Sequence, residues 1–283
     1  MDGVNFPREF LSRDTVATRR LAATAGDDRE ISILLSDQVE CANVIVLNKC
    51  DLVSEEDLQE TEALLRSMNP SARILRAIGG VVSLPQILNT RLCDLTRLAK
   101  LPGWLDQDRF AVKPETEEYG IRSFVYTSRR PFHSKRFRQF LADGWKFVLR
   151  SKGYFYLHSH PDYANFWSQS GRTVGLGRSR KWWAAVPRSQ WPFDDPSVRQ
   201  RWEEPWGDRR QELVFIGTKQ MDEQRIRALL DQILLTDSEL EAFMATDPFL
   251  NNGPSNTMEF GPVPRELASP DGILHALGQL HSR

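Results

Sequence analysis

At 283 residues the chain is long enough for two domains or one large one. Apolar residues make up 40% and charged residues 27%, the balance of a soluble globular protein, and no run approaches the roughly 20 apolar residues that span a bilayer. The formal net charge of −1 hides an asymmetry: residues 121–220 hold 19 of the 37 Lys and Arg but only 8 of the 38 Asp and Glu. That segment presents a basic face either to an acidic partner or to the chain's own acidic half. Met1–Pro7 carries no basic stretch before an apolar run, so it does not read as a secretory leader. The three cysteines, Cys41, Cys50 and Cys93, are too few and too scattered for a disulfide framework and read as small, buried or half-buried hydrophobes. A reducing cytoplasm is the expected compartment, with no membrane contact.

In chain order, Val4 and Phe6 read as the tail of a strand. Ile31, Leu34, Leu35, Val39 and Ala42 fall on one helical stripe. Val44–Leu47 is the kind of apolar, β-branched run that parallel sheets bury on both faces. Ser54 with Asp57 forms a capping pattern that opens a helix buried through Leu58, Leu64, Leu65 and Met68, and Asn69-Pro70 closes it. A strand at Arg73–Ala77 and a short helix at Leu84–Leu88 follow. Alternation of this kind predicts an α/β sheet with right-handed crossovers over residues 1–95, though only part of a doubly wound one.

Residues 96–120, with Leu101-Pro-Gly103 and an acidic run, read as a linker. Residues 121–247 change pattern. Strands are expected at Ile121–Thr127, Lys146–Leu157, Ala164–Ser170, Thr173–Gly177 and Gln211–Ile216. Helices are expected around Phe137, behind Asp222 and from Asp237. This predicts an α+β domain, an antiparallel sheet with helices on one face. Residues 248–283 read as a tail.

The most specific phrase is Asn43-Val-Ile-Val-Leu-Asn-Lys-Cys-Asp51, a buried strand running into Asn-Lys-x-Asp. Asp51 can accept the N1–H and the 2-amino group of guanine, donors that adenine lacks. The Lys49 stem can lie along the base with its ammonium in water, and Asn48 can bond the base edge and brace the loop. Ligand sites in α/β sheets lie at this end of a strand. The loop that would hold the phosphates, Gly-x-x-x-x-Gly-Lys-Ser/Thr, occurs nowhere in the 283 residues.

Other clusters leave two or more readings open. His158 and His160 would share a face on a strand and could bind zinc with Asp162 or His133, or they form a surface pair before Pro161. Trp167, Trp182, Trp183, Trp191, Trp202 and Trp206, interleaved with Arg178, Arg180, Lys181 and Arg188, could stack nucleic-acid bases, anchor a protein or cover the sheet. The arginines of Gly207-Asp-Arg-Arg210 suit a structural ion pair first and an anion contact second.

Several stretches together resemble the CobW-type GTPases, in that family's order over about residues 1–245. They are Asp28–Ile31 with Gln38–Val53, Met68-Asn-Pro-Ser-Ala72, Arg129-Arg-Pro-Phe-His133, Ser151-Lys-Gly153, Phe166-Trp-Ser168 and Gly207–Gly217. The later landmarks are similar to the subset associated with zinc supply. The resemblance implies a P-loop GTPase that passes zinc or cobalt to a client protein, gated by Mg²⁺-dependent GTP hydrolysis, with Asn48, Lys49 and Asp51 reading guanine. It also implies that the phosphate-binding loop and a Cys-x-Cys-Cys metal motif lie upstream of Met1. On that basis the chain is expected to begin inside the GTPase fold, to lack catalysis by itself and to expose a sheet edge suited to dimerisation. The alternative expectation is a non-catalytic module that binds protein or RNA through the basic, Trp-rich domain.

Overall fold

Local signals fix the first layer of the molecule. In the computed structural model, which describes residues 1–21, 29–93, 120–141, 147–191 and 196–247, β1 (Val44–Leu47) and β2 (Arg73–Arg76) pair in parallel, Ile45 opposite Ile74. Helix α3 (Glu55–Met68) connects them. Its N-cap Ser54 accepts the Asp57 N–H at 3.1 Å and donates its hydroxyl to the Asp57 carboxylate at 2.6 Å. Glu55, Glu56 and Asp57 in the first turn suit the positive end of the helix. The Asn69 side-chain amide then donates to the carbonyls of Val39, Glu40 and Ala42, so the residue that stops α3 also satisfies the end of α2 (Ile31–Cys41). A four-residue helix, α4 (Leu84–Ile87), follows β2.

Two expectations for this region need correction. Phe6 does not end a strand; it begins a short helix, α1 (Phe6–Phe10), with Pro7 in its first turn, where proline's fixed φ suits a helix start. Strand-like pairing falls earlier, where Met1–Gly3 runs beside Asn48 through Asn48 N–H to Met1 C=O and Gly3 N–H to Asn48 C=O, both 2.9 Å. β1 is likewise not buried on both faces. Ile45 and Leu47 are buried while Val44 and Val46 are only half covered, because among the described residues β1 has helices packed over one side.

The second layer is a five-stranded antiparallel sheet in the order β3-β7-β4-β5-β6. Its strands are β3 (Ile121–Ser128), β4 (Val148–Phe155), β5 (Tyr163–Ser170), β6 (Thr173–Lys181) and β7 (Gln211–Thr218). One face carries Phe124, Phe155, Trp167, Leu213 and Phe215. These pack under α5 (Ser134–Phe140) and α7 (Glu223–Gln232) through Phe137, Phe140, Ile226 and Leu230. The short α6 (Pro196–Arg201) precedes β7, and α8 (Asp237–Thr246) opens on a full capping box between Thr236 and Glu239.

The opposite face of the sheet is not bare. Ile121, Val214 and Ile216 belong to one buried cluster with Phe6, Phe10, Val39, Leu64 and Leu65. The sheet's own helices therefore lie on one face, and the helices of the first layer cover the other. At this junction Glu40 of α2 receives the Arg150 guanidinium at 2.8 Å and the Lys152 ammonium at 2.5 Å. Ser36 and Ser170 meet hydroxyl to hydroxyl at 2.5 Å, and both are fully buried, which lets α2 approach β5 closely. Gly171, at the β5–β6 turn with φ +54°, admits the α1 backbone: a Cβ there would stand 2.1 Å from the Phe10 carbonyl. The linker expected at 96–120 (save Gly120) and the tail at 248–283 lie outside the described residues.

Candidate functional site

Asn48, Lys49 and Asp51 occupy the loop at the C-terminal end of β1. Lys49 adopts a left-handed conformation, φ 65° and ψ 35°, and caps a single 3₁₀ turn, Cys50–Leu52. That conformation costs a lysine about 1 kcal/mol, so the surroundings must hold it. The Cys50 N–H donates to the Ala77 carbonyl at 3.2 Å, and the Ala77 N–H donates to Leu47 at 2.8 Å. The Asn48 carboxamide oxygen accepts the Gly80 N–H at 2.8 Å. Gly79 and Gly80 both have positive φ, which lets the turn after β2 present that N–H toward β1. Asn48 thus braces the loop, one of the two roles expected of it.

Lys49 gains a partner that the sequence did not suggest. Its ammonium stays at the exposed surface, where it also bonds the Asp2 carboxylate at 2.9 Å. Asp2 also accepts the Asn5 side-chain amide and the N–H groups of Val4 and Asn5. Led by the Lys49 bond, these donors hold the Asp2 carboxyl well below the usual carboxylate range. Asp2 and Gly80 are the site residues that sequence reasoning missed. Each acts through one contact spanning more than thirty residues, and local pattern carries no signal for it.

Asp51 is exposed, and among the described residues no hydrogen bond or ion pair engages its carboxylate. The braced loop therefore presents an exposed carboxylate to solvent, an acceptor pair that two adjacent N–H donors on a planar base would fit. A groove of about 550 Å³ reaches this site through Asp2 and runs past Asn5, Leu35, Val44 and Val46. A second, of about 460 Å³, lies between α1, α3 and the large sheet, with Leu52 and Asp57 on its wall. Asp51 lines neither.

The histidine candidates are placed differently. His158 and His160 lie in a turn after β4 rather than on a strand, so the shared face expected of them is absent. His158 instead stacks on His133, ring centroids 4.8 Å apart. The His133 Nδ1 accepts the Arg136 N–H at 3.4 Å, while the His158 Nδ1 lies 3.3 Å from the Ser134 N–H and 3.4 Å from the Phe132 carbonyl. Burial, then the nearby Arg136, pushes the His133 pKa below its usual 6.5. Among the described residues no group of three His, Cys, Asp or Glu side chains converges as a metal site. Cys41 and Cys93 are exposed rather than buried, while Cys50 is half-buried with its thiol against the Leu47 carbonyl.

The tryptophans mostly build the fold. Trp167 and Trp182 are fully buried, and Trp183, Trp191 and Trp202 form a chain of ring contacts at about 5.5 Å. Arg209 is buried against Asp247 at 2.6 Å, and Asp208 accepts the N–H groups of Trp183 and Ala184. That block is structural as placed.

Comparison with known proteins matches residues 12–76 to the CobW/HypB/UreG nucleotide-binding domain and residues 121–234 to the cobalamin synthesis protein cobW C-terminal domain. The zinc-regulated GTPase metalloprotein activator 1 of Dictyostelium discoideum is 42% identical over 237 residues, covering 82% of this chain and 50% of that protein. A zinc chaperone of Mycobacterium tuberculosis is 25% identical over 221 residues, covering 76% and 52%. Among solved structures, the Zn(II)-bound YjiA GTPase from E. coli shares 18% identity at a TM-score of 0.35, covering 83% of this chain and 59% of that one. The chain spans about half the length of the curated relatives it matches. With the Asn-Lys-x-Asp loop at the end of a parallel strand, and with the nucleotide-binding and C-terminal domain families matched in order along it, the chain belongs to the CobW family.

Proposed function

We propose that this chain supplies the guanine-reading loop and the C-terminal domain of a GTP-dependent metal chaperone that delivers zinc to a client protein. The observation that carries the reading is Asp51, an exposed and unengaged carboxylate on a loop braced by Asn48–Gly80 and Lys49–Asp2. The relatives named for zinc chaperoning and zinc-regulated GTPase activity supply the metal and the nucleotide. Base recognition and phosphate grip are separate tasks. The first needs a bidentate acceptor and a planar slot, and the second needs a Gly-rich nest of N–H groups and Mg²⁺. These residues offer only the first, so hydrolysis is proposed for the whole protein and not for this chain alone.

The test is calorimetric titration with guanosine and adenosine, then with GTP, GDP and ATP in the presence of Mg²⁺. Guanosine and guanine nucleotides should bind in preference to their adenine counterparts. Asp51→Ala should remove about 2 kcal/mol of that preference, roughly thirtyfold, by deleting two hydrogen bonds. Equal or absent heats for the two bases would overturn the reading.

A second reading, a protein-binding module, is favoured by one observation: β6 is exposed from Leu176 to Lys181 and carries three cations.

A further inference from the structure

β6 closes one side of the five-stranded sheet. It pairs with β5 in regular register from Thr173 to Arg178, with a one-residue bulge between Arg178 and Lys181, and no other strand among the described residues pairs with it. A strand edge left open is a template for another strand unless something blunts it. From Leu176 to Lys181 every residue is exposed. The strand carries no proline, and Gly175 and Gly177 leave its surface without side chains at alternate positions; a Cβ built at Gly177 would meet nothing within 4 Å. Paired glycines at an edge let a second backbone approach closely.

Charge then selects the guest. Arg178 and Lys181 both lie over the Tyr163 ring, at 4.6 Å and 5.7 Å, so the ring fixes their positions while their charge stays in solvent. Among the described residues no carboxylate stands within ion-pair distance of either. Arg180, against Trp183, is by contrast paired with Asp208 at 3.8 Å. Two aromatic-seated cations without a carboxylate partner among the described residues, Arg178 and Lys181, beside backbone donors and acceptors of an edge strand suit an extended acidic segment better than a folded surface.

We infer that the β6 edge, in its regular stretch up to Arg178, is a docking strand for an extended acidic peptide of a partner protein, which adds as a sixth strand with its carboxylates beside Arg178 and Lys181. Main-chain hydrogen bonds would provide affinity, and the cations would set direction and partner choice. Lone edge cations also serve to prevent aggregation, but that role calls for neither the glycine pair nor the aromatic seats.

The test uses the full chain and a fluorescent peptide of about six residues that alternates Glu with Val or Thr, followed by anisotropy. The peptide should bind, and its Lys-for-Glu counterpart should not. Arg178→Glu with Lys181→Glu should weaken binding by about tenfold or more while leaving the circular dichroism unchanged, since both side chains are exposed. The same acidic peptide with its backbone amides methylated should lose binding, which needs no change to the protein. No binding of the acidic peptide, or equal binding of its methylated form, overturns the inference; the latter would leave only a charged patch open to any polyanion, including RNA. Neither outcome bears on guanosine binding, so failure here is distinguishable from failure of the nucleotide reading.

Discussion

Asp51 and His133 show how exposure separates function from stability at single positions. Among the described residues Asp51 makes no contact that holds the fold, so Asp51→Ala should move the unfolding free energy by no more than about 0.5 kcal/mol while cutting guanine preference by the roughly thirtyfold stated above. Chemical denaturation beside the calorimetry checks both halves of that statement. His133 should behave in the opposite way. Its Nδ1 lone pair caps α5, and its ring stacks on His158 with Arg136 close by, so the fold favours the neutral ring. Glu239, 3.9 Å from Nε2, opposes this but is itself bound by Arg136. Because the folded-state pKa lies below 6.5, the unfolded chain binds the proton more readily. Stability is therefore full above pH 6.5 and falls as pH drops through that value toward the folded pKa. Melting curves from about pH 7.5 to about pH 5 should show this decline, and His133→Gln should flatten it. An unchanged slope in the variant would remove His133 as its origin.

Among the elements, the Glu40–Arg150–Lys152 cluster joins α2 to β4 with all three side chains nearly or fully buried. Burial pushes the Glu40 carboxyl up, but the two cations more than reverse this and leave it below its ordinary value. Glu40→Gln should cost about 3–5 kcal/mol, because it strands two buried cations; replacing the cluster by apolar residues of similar size should cost far less. Denaturant midpoints of the two variants measure the difference. Acid should erode this stabilisation as pH falls below the ordinary glutamate value of 4.5, where the unfolded chain takes up the proton first, and remove it once Glu40 itself protonates at lower pH. None of this was legible in the sequence, since the partners stand 110 and 112 residues apart. What could be read locally was read: the Ser54 cap and apolar stripe of α3, the Asp222 cap of α7, the hairpin strands and the Asn-Lys-x-Asp loop each carry their signal within a dozen residues. Misplaced elements lacked such a signal or needed a tertiary partner. Phe6 carries a strand-like signal, but Pro7 and the Asp2 carboxylate place it in α1, and His158 reads as a continuation of β4, which ends at Phe155 ahead of the turn that holds His158. The Asp2–Lys49 contact was hidden for the same reason as Glu40.

For the whole molecule, the decisive feature is that one buried cluster crosses from the helices of the parallel layer into β3 and β7. Layers sharing a core should unfold together, so Leu65→Ala in α3 and Ile216→Ala in β7 should each cost about 2–5 kcal/mol and shift one common transition. Two separated transitions would mean the layers are independent. The same view locates the surface that remains uncovered. Beyond β2, which pairs only with β1 among the described residues, Ile78, Val81, Leu84 and Leu88 are all more than half exposed within one turn and a short helix. An open strand edge beside clustered apolar side chains favours association. The expected outcome is concentration-dependent self-association in sedimentation velocity, relieved by Val81→Lys with Leu84→Lys, changes that leave the shared core untouched. A chain that sediments as a monomer at every concentration, with slow amide exchange along β2, would show that this surface is already satisfied within one copy. The association would then have to be abandoned, while the Asp51 loop on the neighbouring strand would stand unaffected.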